Sequence, residues 1–351
     1  MNNEKEVREA FAAQAKWCAM LGSPLTAALV EGLGQRLDRS TEVGRTVLDW
    51  QGPHDALGDS VPLRLAGALH GLVRSGQATD LAKVYPPHDL PSPDQLLVAA
   101  LDAIQAFDTQ IMAWLQFAPQ TNEVARSAAL YPGMMQIAGQ TGLPLALYEV
   151  GASAGLNMNM GRYGYRLGGQ EFGHSESAVM LTPDWNRASL EGAEPVIHSR
   201  RGCDRNPMDV SNPEQFERLI SYVWPDQLDR LSRIEAACEI AQKYPLQIDK
   251  MDAADWVDDM FSVPAEKGVV RVLYHSIAFQ YFPDDSKNRI TERMTRVGEL
   301  ATEETPVAWL AYELGEAGRP ALTLRLWPGG DEQLLAIGDA HCRDIEWLLQ
   351  T

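Results

Sequence analysis

No window of the 351-residue chain is apolar over the length that a membrane span needs. The opening stretch, from Met1 to Glu9, is charged and carries no apolar leader core. Cysteine is scarce: Cys18, Cys203, Cys238 and Cys342 lie far apart, with no CxxC and no metal-ligand spacing. This excludes a disulfide scaffold and gives no reason to expect a metal, so the expected setting is the cytoplasm with reduced thiols. Basic residues are outnumbered, 30 against 48 acidic, for a net charge of −18. There is no Lys/Arg-rich run, and the pair Arg200-Arg201 is too small to offset the balance. A nucleic-acid backbone is repelled by such a chain, so neither nucleic acid nor membrane is an expected partner. Internal repeats, low-complexity tracts and long linkers are also missing, and no alternating strand pattern occurs before residue 143.

What is present reads first as helix. Residues 4–20 place Val7, Ala10, Phe11, Ala15 and Cys18 at helical spacing. Ser23-Pro24 caps a helix bearing Leu25, Ala28, Leu29 and Leu33, and residues 63–74 give another. Ser92-Pro93-Asp94-Gln95 repeats the capping grammar ahead of a helix carrying Leu97, Leu101, Ile104, Phe107, Ile111 and Leu115. Residues 40–61 and 84–93, rich in Gly, Pro and Asp, read as connections. The expected organisation is a helical region over residues 1–140, followed by an α/β domain over 141–351.

The second part is organised around Leu145-Ala-Leu-Tyr-Glu-Val-Gly-Ala-Ser-Ala-Gly-Leu-Asn157. A short apolar run carries one carboxylate, Glu149, then breaks into small residues at alternate positions, Gly151, Ser153 and Gly155. This is the pattern of a buried strand, a tight turn and a helix start. Further on, 163–167 and 177–181 read as a hairpin, Pro195–Asp204 as a strand, and Ser211-Asn-Pro-Glu214 as a capping box opening a helix through Tyr222. A second helix follows Pro225. Residues 246–252 form an edge-like strand, 268–276 and 306–313 two buried strands, with a helix over 284–299 between them. The tail closes with a hairpin, 321–327 and 333–337, and 341–349 adds a strand or a short helix. Strand–helix alternation followed by a hairpin defines an α/β protein with a mostly parallel, Rossmann-like sheet.

Two chemistries fit the turn. E-x-G-x-S-x-G resembles the first motif of class I S-adenosylmethionine (SAM)-dependent methyltransferases; G-x-S-x-G also spells the nucleophile elbow of serine hydrolases, with Ser153 as nucleophile. The elbow normally follows several strands and an oxyanion loop, whereas the chain before it here is helical. Nor has an elbow any use for a carboxylate at Glu149. A nicotinamide-binding unit needs G-x-G-x-x-G and an acid about 20 residues on, which the spacing does not supply.

The methyltransferase resemblance continues down the chain. It implies that Glu149, Gly151, Ser153, Gly155 and Asn157 form the cofactor turn, that Asp204 holds ribose hydroxyls, and that Asp252 with Ala253 flanks the adenine. His275 and Tyr281, at the end of the fourth parallel strand, become the catalytic candidates, with His275 a general base. The closing hairpin resembles the sixth and seventh strands of that fold. About 50 residues separate Gly151 from Asp204, more than the family usually has. The expectation is a SAM-dependent methyltransferase acting on a small molecule, with a non-catalytic SAM- or nucleotide-binding protein as the other outcome. The oligomeric state is not expressed in these features.

The whole chain also resembles a bacterial family known only as a domain of unknown function. The likeness rests on Gln120–Leu130, Glu149–Asn157, Arg200–Val210, Val223-Trp-Pro-Asp-Gln227, His275–Pro283 and Trp327–Gly330. It implies a methyltransferase-like fold and names no substrate.

Overall fold

The computed structural model describes residues 2–55, 58–315 and 318–349, so residues 56–57 of the expected connection 40–61 lie outside it. The chain forms two compact units, one of Met1–Thr121 with Ser211–Ser232 and one of Asn122–Val210 with Arg233–Thr351.

The first unit is helical. Its core joins Val7, Phe11, Leu25, Leu29, Leu33, Leu65, Leu69, Leu97 and Ile104, among others. The local signals act as read: Ser92 and Gln95 close a reciprocal capping box, and Ser23 caps Pro24–Arg36 through the Thr26 N–H. Two expectations need correction. The connection 40–61 contains a helix, Glu42–Leu48, capped by Thr41, whose seven residues are too few to show a period. The long helix after Ser92 is two, Pro93–Ala106 and Asp108–Leu115, bent by 92° at Phe107. Asp108 explains the break, since its carboxylate accepts from the N–H groups of Glu42 (2.9 Å) and Val43 (2.8 Å) at the start of the short helix. Among the described residues no single helix is long and apolar enough to cross a membrane, and the bent pair that passes by composition contributes to this buried core.

The second unit is built on a nine-stranded sheet. Its strands are β1 (Leu145–Val150), β5 (Asp184–Trp185), β6 (Ile197–Asp204), β7 (Gln247–Lys250), β8 (Val270–Ser276), β9 (Val307–Leu314), β10 (Pro320–Trp327), β11 (Glu332–Gly338) and β12 (Asp344–Trp347). The remaining strands, β2 (Gly164–Leu167), β3 (Gln170–Gly173) and β4 (Met180–Leu181), form a small separate sheet. The large sheet runs β5-β12-β11-β10-β9-β8-β1-β6-β7. From β7 to β9 every pair is parallel; β9 to β12 pair antiparallel in plain chain order. The fold class is therefore α/β with a largely parallel sheet and an antiparallel C-terminal side, as the alternation predicts. The segment 341–349 supplies a strand.

The small sheet departs from expectation. β2 pairs antiparallel with β3, whereas β4 lies parallel on its other side. Gly168 (φ +59°) and Gly169 (φ +84°) make a two-residue turn that joins β2 directly to β3, a geometry that two glycines adopt without strain. The cap of Pro213–Ser221 also falls one residue later than read, at Asn212, whose side chain accepts from Glu214 and Gln215.

In chain order the parallel strands lie 3-2-1-4-5, and the direction of winding reverses between β1 and β8. Open parallel sheets bind ligands outside the carboxyl ends of their strands at that reversal. Residues of β1 alternate across the sheet. Tyr148 and Val150 face a core with Trp256, Phe261, Leu273, Ile290 and Met294, supplied partly by the helices Ala253–Ser262 and Asp284–Glu299. Leu147 and Glu149 face the other side.

Candidate functional site

Gly151 leaves β1 at the reversal point with φ +68°, Ser153 follows at +53° and Gly155 at +70°. Left-handed backbone is natural for glycine and strained for serine by roughly 1–2 kcal/mol. Asp204, at the end of neighbouring β6, offsets that strain: its Oδ2 accepts the Ser153 N–H at 2.9 Å and its Oδ1 the Asn206 N–H at 2.8 Å. A Cβ at Gly151 would stand 2.5 Å from the Cβ of Ala278, so the segment after β8 packs directly on the bare turn. A Gly151→Ala substitution is accordingly expected to destabilise the protein by about 2 kcal/mol through strain and overpacking. A urea midpoint unchanged from wild type would show that this close approach carries no weight.

Four of the turn's amide groups are occupied. Ala152 N–H donates to the Cys203 carbonyl, Ser153 N–H to Asp204, Gly155 N–H to the Ala152 carbonyl and Leu156 N–H to Asn122 Oδ1, all within 2.7–3.0 Å. A pyrophosphate needs such groups free. These four are therefore closed to a phosphate.

Three carboxylates follow the carboxyl edge of the sheet. Glu149 is 2% exposed and accepts from the Tyr274 hydroxyl at 3.2 Å. Burial pushes its pKa up to about 8; the Tyr274 bond and the Arg126 charge work against this, and the Asp204 charge adds to it. Asp204 spends one acceptor bond from each carboxylate oxygen on the amides of Ser153 and Asn206. Asp252 caps the helix Ala253–Ser262 by accepting the Ala254 N–H at 2.9 Å, and Ala253 is buried. The backbone links this corner to Asp204, whose carbonyl accepts the Met251 N–H.

Near the end of β8, His275 is 1% exposed and both ring nitrogens are engaged. Trp309 donates its indole N–H to Nε2 at 2.9 Å, which assigns the ring proton to Nδ1, 2.7 Å from Glu313 Oε1. Phe279 stacks on the ring, with centroids 4.8 Å apart. The expectation of His275 as a free general base meets a different geometry: the imidazole is a link that fixes Glu313. That carboxylate's Oε1 also accepts from the Ala278 and Phe279 N–H groups at 3.0 and 3.1 Å. Burial acts to raise the pKa of Glu313, yet the His275 bond and the two amides together hold it below the ordinary value. Tyr281 stands half exposed at 51%.

Asn157 points away from the turn's open side. Its amide is 1% exposed, accepts from Ser127 Oγ at 2.8 Å and donates to the Glu123 carbonyl. With the Asn122–Leu156 bond, it straps residues 122–127 to the glycine turn. Arg126 in that strap donates to the carbonyls of Ser276 (2.9 Å) and Ala340 (3.2 Å), bracing the ends of two further segments. The structure thus gathers Glu149, Gly151, Ser153, Asp204, Asp252, Ala253 and His275 along the carboxyl edge; Gly155 and Asn157 serve the strap, and Tyr281 lies on the segment that packs on Gly151.

Glu313 and Arg126 carry much of this geometry. Glu313 ends an apolar strand, as Glu149 nearly does, and that parallel was the available signal; Arg126 stood in the polar stretch Thr121, Asn122, Glu123 and Arg126, which the sequence offers as a plain loop or as a lid beside the glycine turn. Among the buried side-chain atoms without a hydrogen-bond partner are Ser153 Oγ, Gln280 Oε1 and Glu313 Oε2. Ser153 and Gln280 lie on the segments that follow β1 and β8, and Glu313 lies one residue before the end of β9. Buried polar groups are nearly always paired, so an orphan near the end of each of three adjacent strands points to a polar ligand at that edge. Among the described residues no group of three or more His, Cys, Asp or Glu is placed to hold a metal ion.

These features define an α/β protein with a Rossmann-like sheet and polar residues gathered at its winding reversal, where such sheets form their ligand crevice. The chain belongs to a bacterial family described as "Uncharacterized protein conserved in bacteria" (DUF2332), whose model matches residues 8–347. No curated protein and no solved structure matches it.

Proposed function

We propose that the crevice binds SAM and that the protein transfers its methyl group to a small-molecule acceptor. The observation that carries this reading is the trio of unpartnered atoms, Ser153 Oγ, Gln280 Oε1 and Glu313 Oε2, near the carboxyl ends of the adjacent strands β1, β8 and β9. Bound SAM would supply an activated methyl on a sulfonium. Asp204 would hold the ribose hydroxyls, Asp252 and Ala253 would border the base, and Ser153 and Gln280 would accept from polar hydrogens. The four filled amide groups of the turn leave a phosphate fewer donors there, which favours a nucleoside over a dinucleotide. Methyl transfer is an in-line displacement, so the protein's work is positioning and exclusion of water. With His275 held by Trp309 and Glu313, the acceptor is one that is already nucleophilic at neutral pH.

The test is calorimetric titration with SAM and with its demethylated product. Micromolar affinity, lowered at least tenfold by Asp204→Ala, is the expected result. Silence at millimolar ligand together with labelling of Ser153 by a fluorophosphonate would transfer the assignment to a serine hydrolase. Against that outcome, Ser153 Oγ has no hydrogen-bond partner and His275 offers it no free nitrogen.

A further inference from the structure

In a chain with 18 more acidic than basic side chains, two arginines meet at one polar cavity without a carboxylate. The cavity, about 490 Å³, is lined by Arg162, Arg200, His174, His198 and Asn159 among others, and no Asp or Glu is among its described lining residues. Arg162 lies over the Tyr244 ring, 3.5 Å from the centroid, and Arg200 donates to Asn159 Oδ1. Neither guanidinium has an ion pair among the described residues. Burial first, and then the charge of Arg162, lowers the pKa of Arg200, which records the mutual repulsion. Asn159 is fully buried, and its Nδ2 has no hydrogen-bond partner. At the rim, His198 Nε2 stands 3.3 Å from the exposed Glu266.

Two half-buried like charges are held together only where something compensates them, and an orphaned buried donor needs an acceptor. One ligand meets both demands. From this arrangement we infer a second binding site, for a dianionic phosphate group carried by a small molecule. Two guanidinium forks balance the charge of one phosphate, −1.5 to −2 near neutrality by general estimate, roughly, and match its oxygens in geometry. Asn159 Nδ2 supplies a third donor. A single carboxylate would leave one arginine uncompensated.

This site is separate from the crevice and does not rest on the methyl-donor reading. Ile197, at the start of β6, lines the cavity, whereas Asp204, at its end, borders the crevice. At about 3.3 Å per residue they stand roughly 23 Å apart. The 3₁₀ helix Leu156–Arg162 starts beside the glycine turn and ends at the cavity.

Calorimetric titration of the full chain with inorganic phosphate, then with succinate and acetate at matched ionic strength, tests the inference. Phosphate is expected to bind saturably at millimolar concentration or below, more tightly than succinate, with acetate silent. Arg162→Gln and Arg200→Gln should each weaken it at least tenfold while far-ultraviolet circular dichroism stays native. Should Arg200→Gln fail to fold through loss of its Asn159 bond, Arg162→Gln decides alone, since its described contact is with the Tyr244 ring. No saturable heat from the wild type at tens of millimolar phosphate, tighter binding of succinate, or unchanged affinity in folded Arg162→Gln would each overturn the proposal.

Discussion

Replacing Glu149 by glutamine is expected to make the protein more stable at pH 8 while leaving it nearly unchanged at pH 5. The carboxyl is 2% exposed, and burial raises its pKa from an ordinary 4.5 to about 8. Between those values the folded protein holds a proton that the unfolded chain releases. Its contribution to stability is therefore fully present below about pH 4.5 and declines as pH rises through about 8. At 1.36 kcal/mol per unit, the decline between pH 5 and pH 8 is on the order of 3 kcal/mol. Glutamine keeps an acceptor for the Tyr274 hydroxyl and has no proton to lose. Urea unfolding of both proteins at unit pH steps should show the variant's advantage growing by that amount. Parallel curves would mean that Glu149 is already ionised in the fold. The same proton links to ligand: a cation bound near Glu149 favours its ionised form, so binding of SAM at pH 7 should release protons.

Much of the fold was open to reading because it rests on local signals. The capping box at Ser92, the apolar runs of β1, β8 and β9, and the glycine turn each depend on residues within a few positions of one another. The misreadings share a cause as well. The bend at Phe107 is set by Asp108 reaching 66 residues back to Glu42, and β4 lies beside β2 in place of the hairpin partner because Gly168-Gly169 turn sooner. In the candidate site, Glu149, Gly151 and Asp204 were legible, since carboxylates and glycines at strand ends are rare enough to notice. The fate of His275 was not. Strand position predicts where an imidazole stands; whether its nitrogens are free depends on Trp309 and Glu313, which lie 34 and 38 residues away. Arg200 misled in a similar way, because a pair of arginines is weak as a surface patch and strong inside a cavity that Arg162 shares.

Glu313 offers the sharpest separation between holding the site and serving in it. Glu313→Ala would leave His275 Nδ1 and the Ala278 and Phe279 N–H groups without their shared acceptor, a loss of roughly 3–5 kcal/mol. Glutamine, placed with its carbonyl toward those three donors, should cost about 1–2 kcal/mol, the difference between a charged and a neutral acceptor. Its amide nitrogen then falls where Oε2 now lies buried without a partner. If Oε2 accepts from a ligand, Glu313→Gln sets donor against donor, so SAM affinity should fall at least tenfold in a protein that still unfolds cooperatively. A variant that folds and binds as the wild type does would reduce Glu313 to a bracket for the 277–282 segment. The pH dependence runs opposite to that of Glu149. A carboxylate held below its ordinary pKa contributes stability above the unfolded value and loses it as pH falls through the folded one. Glu313→Gln should thus remove an acid-side loss of stability that Glu149→Gln leaves in place, and urea midpoints below pH 4.5 would distinguish the two carboxylates within one sheet.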